Sequence, residues 1–253
     1  MYSPWTMKST VITICWNSIR RIERCVDSVL AQEQLPTEYI FVDGGSTDGT
    51  LDLLESLSQR LEAKGISTRI IHQVRRESEA GIPSAWNQGI ETAQGDVIAQ
   101  LNSDDFYHPN TLSTAIHALE AQQDAEMFAA AIGLVDGDGK KVGELHPRCL
   151  CLAEFLMPLA HPACFITRRL YDRVGLYDTS FKISSDYDFV WRCRRANVKL
   201  LYSQECLVTM ETGGLANSSR AAARDETLRI ARKYSHFPVF PYLAWLARKI
   251  TGR

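Results

Sequence analysis

Three groups of aspartates in this sequence have the types and spacing to do chemistry. Asp43 directly follows the apolar segment YIFV, residues 103–105 (Ser-Asp-Asp) directly follow VIAQL, and Asp186 and Asp188 begin another apolar segment. Adjacent carboxylates repel each other unless a positive charge lies between them. A hard cation that bridges carboxylate and phosphate oxygens supplies that charge. The pattern therefore indicates a metal site that holds a phosphorylated ligand.

Each acidic group also has an explanation as a helix cap. Residues 46–48 are favourable N-caps for a following helix, and Asp104 and Asp105 could cap the helix that follows them. Asp186 and Asp188 could favour the first turn of a helix. The functional interpretation rests on the joint order of the groups rather than on any one of them.

The elements that position these aspartates alternate between strand and helix. The segment 9–15 (STVITIC) is nearly continuously apolar, which is typical of a parallel strand buried on both faces. Such alternation implies βαβ crossovers and a mostly parallel sheet, whose ligands lie beyond the carboxyl ends of the strands. Both Asp43 and residues 103–105 fall at such ends. The predicted strands are 9–15, 39–42, 67–73 and 97–101, and the predicted helices are 19–32, 51–65 and 85–93.

The second half of the chain is less regular. We predict a helix from Pro109 to about Gln122, and then two strands, Met127–Val135 and Lys141–Leu145. The Asp-Gly-Asp-Gly segment between the strands, residues 136–139, is typical of a hairpin turn, and its spacing fits neither a calcium loop nor a phosphatase nucleophile. No repeat or composition break divides the chain, which indicates one domain with two functional halves.

Composition excludes several classes of protein. A formal net charge of −2 gives no general attraction to nucleic acid. The seven cysteines are expected to be reduced, because the chain is far larger than a disulfide-stapled module, and the pair Cys149 and Cys151 lacks a partner pair at zinc-site spacing. No leader-like segment and no apolar run of roughly 18 residues is present. We therefore expect a cytoplasmic protein that does not bind nucleic acid.

Six blocks, in order, resemble the family 2 inverting glycosyltransferases of the GT-A fold, the enzymes that build bacterial O-antigens and other surface polysaccharides. The resemblance covers roughly residues 8–215. It implies an α/β fold with a mostly parallel sheet flanked by helices, a nucleotide-sugar-binding half (8–105), an acceptor half (106–215) and a helical C-terminal tail (216–253). The blocks are TICWN (13–17), VDGGSTDGT (42–50), GIPSAWNQGI with GD (81–96), LNSDD (101–105), HPACFITRRLYDRVGLYD (161–178) and SSDYDF (184–189).

The resemblance implies transfer of a sugar from a nucleotide-sugar donor, with a UDP-sugar favoured, to a saccharide or polyprenyl-linked acceptor. It also implies a divalent cofactor, Mn²⁺ or Mg²⁺. A catalytically degenerate binding partner and a sugar-nucleotide nucleotidyltransferase are the alternatives. The second would need a glycine-rich loop after the first strand, as would a Rossmann dehydrogenase, and TICWNSIRR contains no glycine.

The nucleotide-binding residues follow from the matching blocks. Cys15, Trp16 and Asn17 match the nucleotide-facing end of the first strand, where an aromatic side chain commonly lies near the base. For Trp16, a plain core position is the alternative. Asp43 matches the aspartate that hydrogen-bonds the base of the donor, and Asp48 lies in the same loop.

The reacting groups follow in the same way. Asp104 is expected near the ribose or the metal, Asp105 on the metal itself, and Asp186 is expected to be the catalytic base. The vicinity of the acceptor or donor sugar is expected to contain Asn87, His161, Asp188 and Gly213, with His161 as a competing catalytic candidate.

The sequence departs from the family pattern at two places. Glu79-Ala80 stands where an acidic-basic pair is common, which leaves Arg75 or Arg76 to meet the phosphates. Ser185 stands where glutamate is more widespread, and we expect it to serve as an N-cap.

The C-terminal segment combines aromatic and aliphatic residues with basic pairs at 232–233 and 248–249. Such a segment suits peripheral contact with an anionic membrane surface, which would fit a polyprenyl-linked acceptor. The same apolar residues could instead pack on the domain or on a second copy in a homodimer.

Overall fold

The strands of the computed structural model form one sheet. The structure describes residues 7–73, 81–212 and 220–235. Along the sheet the strands follow the order β3-β2-β1-β4-β8-β6-β9-β5, and β7 pairs with β6 at the side. The strands are β1 (Ser9–Cys15), β2 (Glu38–Asp43), β3 (Ser67–His72), β4 (Val97–Gln100), β5 (Phe106–Tyr107), β6 (Met127–Val135), β7 (Lys141–Leu145), β8 (Cys164–Thr167) and β9 (Leu200–Glu211).

Helices connect and cover the strands. Gly49, in the left-handed conformation with φ of 90°, precedes α2, and Gly81 precedes α3, which has a proline in its first turn. The helices in the described residues are α1 (Ile22–Leu30), α2 (Thr50–Glu62), α3 (Ile82–Thr92), α4 (Thr111–Ala121), α5 (Arg168–Val174), α6 (Ser185–Arg195) and α7 (Arg220–Tyr234). None of them is long and apolar enough to cross a membrane.

The pairing of the strands confirms the mostly parallel sheet. Strands β1, β2, β3 and β4 are mutually parallel, and the register places Cys15 opposite Asp43 at their carboxyl ends. Antiparallel pairs of β8 with β4 and with β6 then join the second half of the chain to the first. The loops that follow β1, β2 and β4 consequently open at one edge of the sheet.

Two apolar clusters cover the two faces of the sheet. Val11 packs with α1 and α2 on one face, and its neighbour Ile12 packs with α3 on the other. Both are fully buried. Alternate residues of a strand point to opposite faces, so a strand flanked by helices on both sides must be apolar throughout. Each such side chain stabilises the fold by about 1.5–3 kcal/mol.

Two glycines allow the elements to approach closely. A Cβ on Gly89 of α3 would lie 2.6 Å from Cγ2 of Ile12, and a Cβ on Gly95 would lie 2.7 Å from the backbone nitrogen of Thr10. The helix α3 therefore packs directly on β1. This close contact determines where α3 places Asn87.

Most of the predicted elements are confirmed, including the hairpin of β6 and β7. The Asp136 carbonyl accepts the Gly139 N–H at 2.9 Å in its turn. The prediction lacked β5 and β9, because a two-residue strand carries no periodicity and β9 is only partly buried. Four cysteines are buried and none is bridged, whereas Cys149 and Cys151 are exposed.

Candidate active site

The loop after β2 is organised by the buried carboxylate of Asp43. Its Oδ2 accepts the backbone N–H groups of Gly45 at 2.8 Å and Ser46 at 3.0 Å, and its Oδ1 accepts the Ser46 hydroxyl at 2.5 Å. The side chain of Asp43 is 1% exposed. Its established contacts shape the loop, and the contact with a nucleotide base stays a prediction.

Asn17 and Asp48 join the loop after β1 to the loop after β2. Asn17 adopts a positive φ of 51°, donates its N–H to Ser46 Oγ at 2.9 Å, and accepts the Thr47 N–H at 2.9 Å. Asp48 accepts the N–H of Thr50 and, at 3.3 Å, that of Ile19. The hydroxyl of Thr50 lowers the pKa of Asp48. These bonds fix the edge at which the resemblance places the nucleotide.

Trp16 lies at the mouth of this edge with 58% of its surface exposed. That exposure excludes a plain core position and leaves an indole ring available for stacking. The adjacent Cys15 is buried, and its thiol donates to the carboxylate of Asp43 at 3.8 Å. Burial raises the pKa of this thiol, so Cys15 acts as a neutral packing and hydrogen-bonding group.

Asp105 carries a buried carboxylate oxygen that has no partner. Its Oδ2 accepts from Asn102 Nδ2 at 2.8 Å, whereas Oδ1 has no hydrogen-bond partner among the described residues. Burial raises the pKa of Asp105 to about 8, and the neighbouring Asp104 adds to this effect. A buried, unpaired carboxylate oxygen is costly in the free protein, so the site is suited to receive a cation.

Two arginines of the α1 region surround Asp104. Arg24 donates to the Asp104 carbonyl and to Glu211 Oε2, each at 3.0 Å, and Arg21 pairs with Glu211 at 3.1 Å. Burial raises the pKa of Asp104, and the two arginines oppose that rise. Sequence reasoning missed these groups, although the basic residues directly before α1 were a usable signal.

The residues present suit a divalent ion that is bound jointly by the protein and by a ligand. The described residues contain no cluster of three or more histidine, cysteine or acidic side chains that could enclose a metal. Mg²⁺ characteristically binds through one or two carboxylates together with substrate phosphates and water. The free Oδ1 of Asp105 provides one such carboxylate ligand.

Asp186 lies in the first turn of α6, with its side chain partly exposed. Its Oδ1 accepts the N–H of Tyr187 at 2.8 Å. Burial raises the pKa of Asp186 to about 6 and outweighs the opposing backbone hydrogen bonds. A carboxylate with this pKa is largely ionised at neutral pH and still basic enough to accept a proton.

The first turn of α6 corrects one expectation. Ser185 is the first helical residue, and Ser184 occupies the N-cap position without a side-chain bond to the helix. The N-cap role predicted for Ser185 is therefore wrong.

His161 packs between the rings of Trp86 and Tyr177, with centroid distances of 5.2 and 5.9 Å. Its Nε2 is buried and has no partner among the described residues, and burial lowers the pKa of His161 to about 4. The imidazole is consequently neutral at neutral pH. Asn87 donates to the Tyr177 carbonyl at 2.8 Å and accepts the Tyr177 N–H at 2.9 Å, which joins α3 to the segment before α6.

Asp188 belongs to a structural network rather than to the open side of the site. Its carboxylate is fully buried, and it accepts from Arg192 at 2.8 Å, Tyr234 at 2.8 Å and Lys233 at 3.3 Å. Side chains two residues apart on a helix point about 200° apart, so Asp186 lies on a different side of α6 from this network. The expected place of Asp188 in the vicinity of the acceptor or donor sugar stays a prediction, because its buried carboxylate is engaged in this network. Arg76 and Gly213 lie outside the described residues.

The fold belongs to the GT-A class, as two solved structures show. TarS residues 1–349 from Staphylococcus aureus, in complex with UDP-GlcNAc, match 97% of this chain and 73% of that chain, with a TM-score of 0.71 at 18% identity. The mannosyltransferase PcManGT from Pyrobaculum calidifontis, in complex with GDP-Man and Mn²⁺, matches 97% and 70%, with a TM-score of 0.70 at 15% identity. Against a longer TarS structure the chain covers 44% of that chain. These likenesses establish the GT-A fold.

Sequence comparison gives the family. Residues 10–175 match the family described as glycosyl transferase family 2. A PGL/p-HBAD biosynthesis glycosyltransferase of Mycobacterium tuberculosis is 27% identical over 205 residues, which are 77% of this chain and 73% of that protein. The chain belongs to glycosyl transferase family 2, and it is a glycosyltransferase.

Proposed function

We propose that this protein is an inverting glycosyltransferase that moves a sugar from a nucleotide-sugar donor, a UDP-sugar by preference, to a saccharide or polyprenyl-linked acceptor of the cell surface. The observation that carries the proposal is Asp186, a partly buried carboxylate at the start of α6 whose pKa is raised to about 6. The UDP-GlcNAc bound to TarS supports the donor class, and the name of the mycobacterial relative, a PGL/p-HBAD biosynthesis glycosyltransferase, supports glycosyl transfer in a biosynthetic role.

Asp186 acts as general base in this reaction. The acceptor hydroxyl attacks the anomeric carbon from the face opposite the nucleoside diphosphate. The new bond from carbon to the acceptor oxygen forms as the bond to the diphosphate oxygen breaks, and the hydroxyl proton passes to Asp186. General base catalysis of this kind contributes about 10²–10⁴ in rate.

The donor side holds the leaving group. Asp105, with Asp104 beside it, would hold Mn²⁺ or Mg²⁺, and the bound ion would supply positive charge to the departing diphosphate. Trp16 stacks on the base of the donor, and Asp43 and Asn17 keep the two nucleotide loops in place. His161 is neutral and packs beside Tyr177, and it provides an uncharged surface next to the sugar.

A two-stage experiment tests the proposal. UDP-, GDP- and dTDP-sugars are first screened with Mn²⁺ for thermal stabilisation, and we expect one UDP-sugar to give the largest shift. Proton NMR then follows the anomeric configuration of the sugar released from that donor. The proposal requires that the product formed first has the inverted anomeric configuration. Retained configuration, or no stabilisation by any nucleotide sugar, would refute it.

The predicted membrane contact rests on residues 236–253, which lie outside the described residues. Deletion of these residues is expected to reduce binding to vesicles that contain anionic lipid, measured by co-sedimentation, while donor binding is retained. Equal binding of the full chain and the deletion variant removes this part of the proposal.

A further inference from the structure

Glu226 lies on α7, outside every sequence block that defines the site. Its Oε1 accepts the backbone N–H of Lys182 at 2.9 Å, and its Oε2 accepts those of Ile183 at 2.9 Å and Ser184 at 2.8 Å. Hydrogen bonds to an ionised acceptor are roughly twice as strong as neutral ones. One side chain therefore fixes three consecutive residues directly before α6.

The start of α6 depends on α7 because α6 lacks a cap of its own. Ser184 is its N-cap residue, but no N–H of the helix bonds to the Ser184 side chain. The Ser184 hydroxyl instead donates to the carbonyl of Ala223 on α7 at 3.3 Å. Both the backbone and the side chain of the N-cap residue are thus held by the other helix.

The position of α7 is itself well determined at its far end. Ile230 is fully buried against α6, and the Tyr234 ring stacks on Trp191 at a centroid distance of 6.0 Å. Tyr234 also donates to Asp188 of α6. These contacts toward the C-terminal end of α7 give Glu226 a fixed place relative to Asp186.

We propose that Glu226 is a positioning residue for the catalytic base, because it holds the three residues that lead into the first turn of α6, where Asp186 lies. This inference rests on the proposed role of Asp186. Misplacement of a reacting group by about 1 Å can cost about 10²-fold in rate. Loss of an anchor about one helical turn from Asp186 is therefore expected to slow the reaction.

The charge of Glu226 provides a second effect on the base. The titratable groups that interact with Asp186 include Glu226, Tyr177 and Cys164. Burial raises the pKa of both Tyr177 and Cys164, so these groups are neutral at neutral pH. The negative charge of Glu226 adds to the burial that raises the pKa of Asp186.

The test compares Glu226→Gln with the wild type in the full chain, with UDP-GlcNAc and Mn²⁺ as the probes. The amide keeps the size of the side chain but loses its charge and one acceptor oxygen. We expect kcat for UDP release to fall about 10- to 100-fold. We expect KM for UDP-GlcNAc to stay within about twofold, because the donor loops follow β1, β2 and β4. The acidic limb of the kcat profile should move to lower pH, and the amides of residues 182–184 should exchange hydrogen faster.

Two further variants keep the result interpretable. Asp225→Asn changes an exposed neighbour on the same helix and should leave all four readouts at wild-type values. Glu226→Asp restores the charge with a shorter reach, should recover part of kcat, and supplies the measurement if Glu226→Gln does not fold. Wild-type kcat and exchange in Glu226→Gln would overturn the inference, as would a parallel loss of kcat, donor affinity and thermal stability. Full activity of Asp186→Asn would instead refute the proposed base.

Discussion

The hydroxyl of Tyr234 donates a 2.8 Å hydrogen bond to the carboxylate of Asp188, which is a fully buried residue. The bond connects the last helix that the structure describes to α6, whose first turn contains the proposed base. Arg192 and Lys233 bind the same carboxylate. The two aspartates of the SSDYDF block therefore have different roles, although they are only two residues apart.

Asp188→Asn is expected to lower stability rather than chemistry. The substitution leaves Arg192 and Lys233 without their shared counter-charge, and breaking a buried pair costs about 3–5 kcal/mol. Because Lys233 is half exposed, we expect the lower end, about 3 kcal/mol, or about 6–12 °C in Tm for a chain of this size. Asp225→Asn is the matched control by thermal unfolding, and an unchanged Tm for Asp188→Asn would contradict the structural role.

Trp16→Ala is expected to weaken nucleotide binding without a loss of stability. The indole ring is 58% exposed, and stacking of a base on an aromatic ring contributes about 1–3 kcal/mol. Calorimetry with UDP and Mn²⁺ should show a rise in Kd of about 5- to 150-fold at constant Tm. Tyr202→Ala removes a comparably exposed ring on β9 and should bind UDP normally. Equal Kd values for wild type and Trp16→Ala would exclude stacking.

Asp105→Asn separates the metal site from the fold. In EDTA at a pH above about 8 the variant should be at least as stable as the wild type, because a neutral amide then replaces a buried, ionised carboxylate. Saturating Mn²⁺ with UDP should raise the Tm of the wild type by about 5–10 °C and that of the variant by much less. Asp138→Asn, on the exposed hairpin turn, should respond as the wild type does. A full Mn²⁺-dependent shift in Asp105→Asn would place the metal elsewhere.

The fold of residues 8–105 could be predicted from the sequence because three of its four strands, β1, β2 and β4, are buried on both faces. Val11 and Ile12 pack against opposite clusters, so the apolar run of β1 leaves little choice of structure. Asp43 and Asp105 then fall at strand ends in a predictable way. Here sequence order and spatial arrangement agree.

The contacts that hold the site in place could not be predicted, because they join residues that are distant along the chain. Arg24 meets Glu211 across 187 residues, and Glu226 meets Ser184 across 42. Neither pair leaves a local pattern in the sequence. The contacts of Asp188 with Lys233 and Tyr234 of α7 are likewise long-range in sequence.

The pH dependence of turnover should report the raised pKa of Asp186. The base is active when ionised, so kcat should fall about tenfold per pH unit below about 6, whereas an ordinary aspartate would stay active to about 4. The free energy of unfolding should change in the opposite direction, because the raised pKa of Asp186 lowers it as the pH rises. An acid whose pKa is raised on folding makes the protein less stable as pH rises from about 4 to about 6. A kcat that stays constant down to pH 4.5 would contradict this assignment.

The most direct test is the rate of nucleoside diphosphate release by the wild type and by Asp186→Asn, measured with the donor that the thermal screen selects. Asparagine has nearly the same shape and cannot accept the proton. With Asp186 as the base, kcat falls about 10²–10⁴-fold while KM for the donor and Tm stay near wild-type values. A variant that keeps more than about half of the wild-type kcat at pH 7 would show that another group takes the proton.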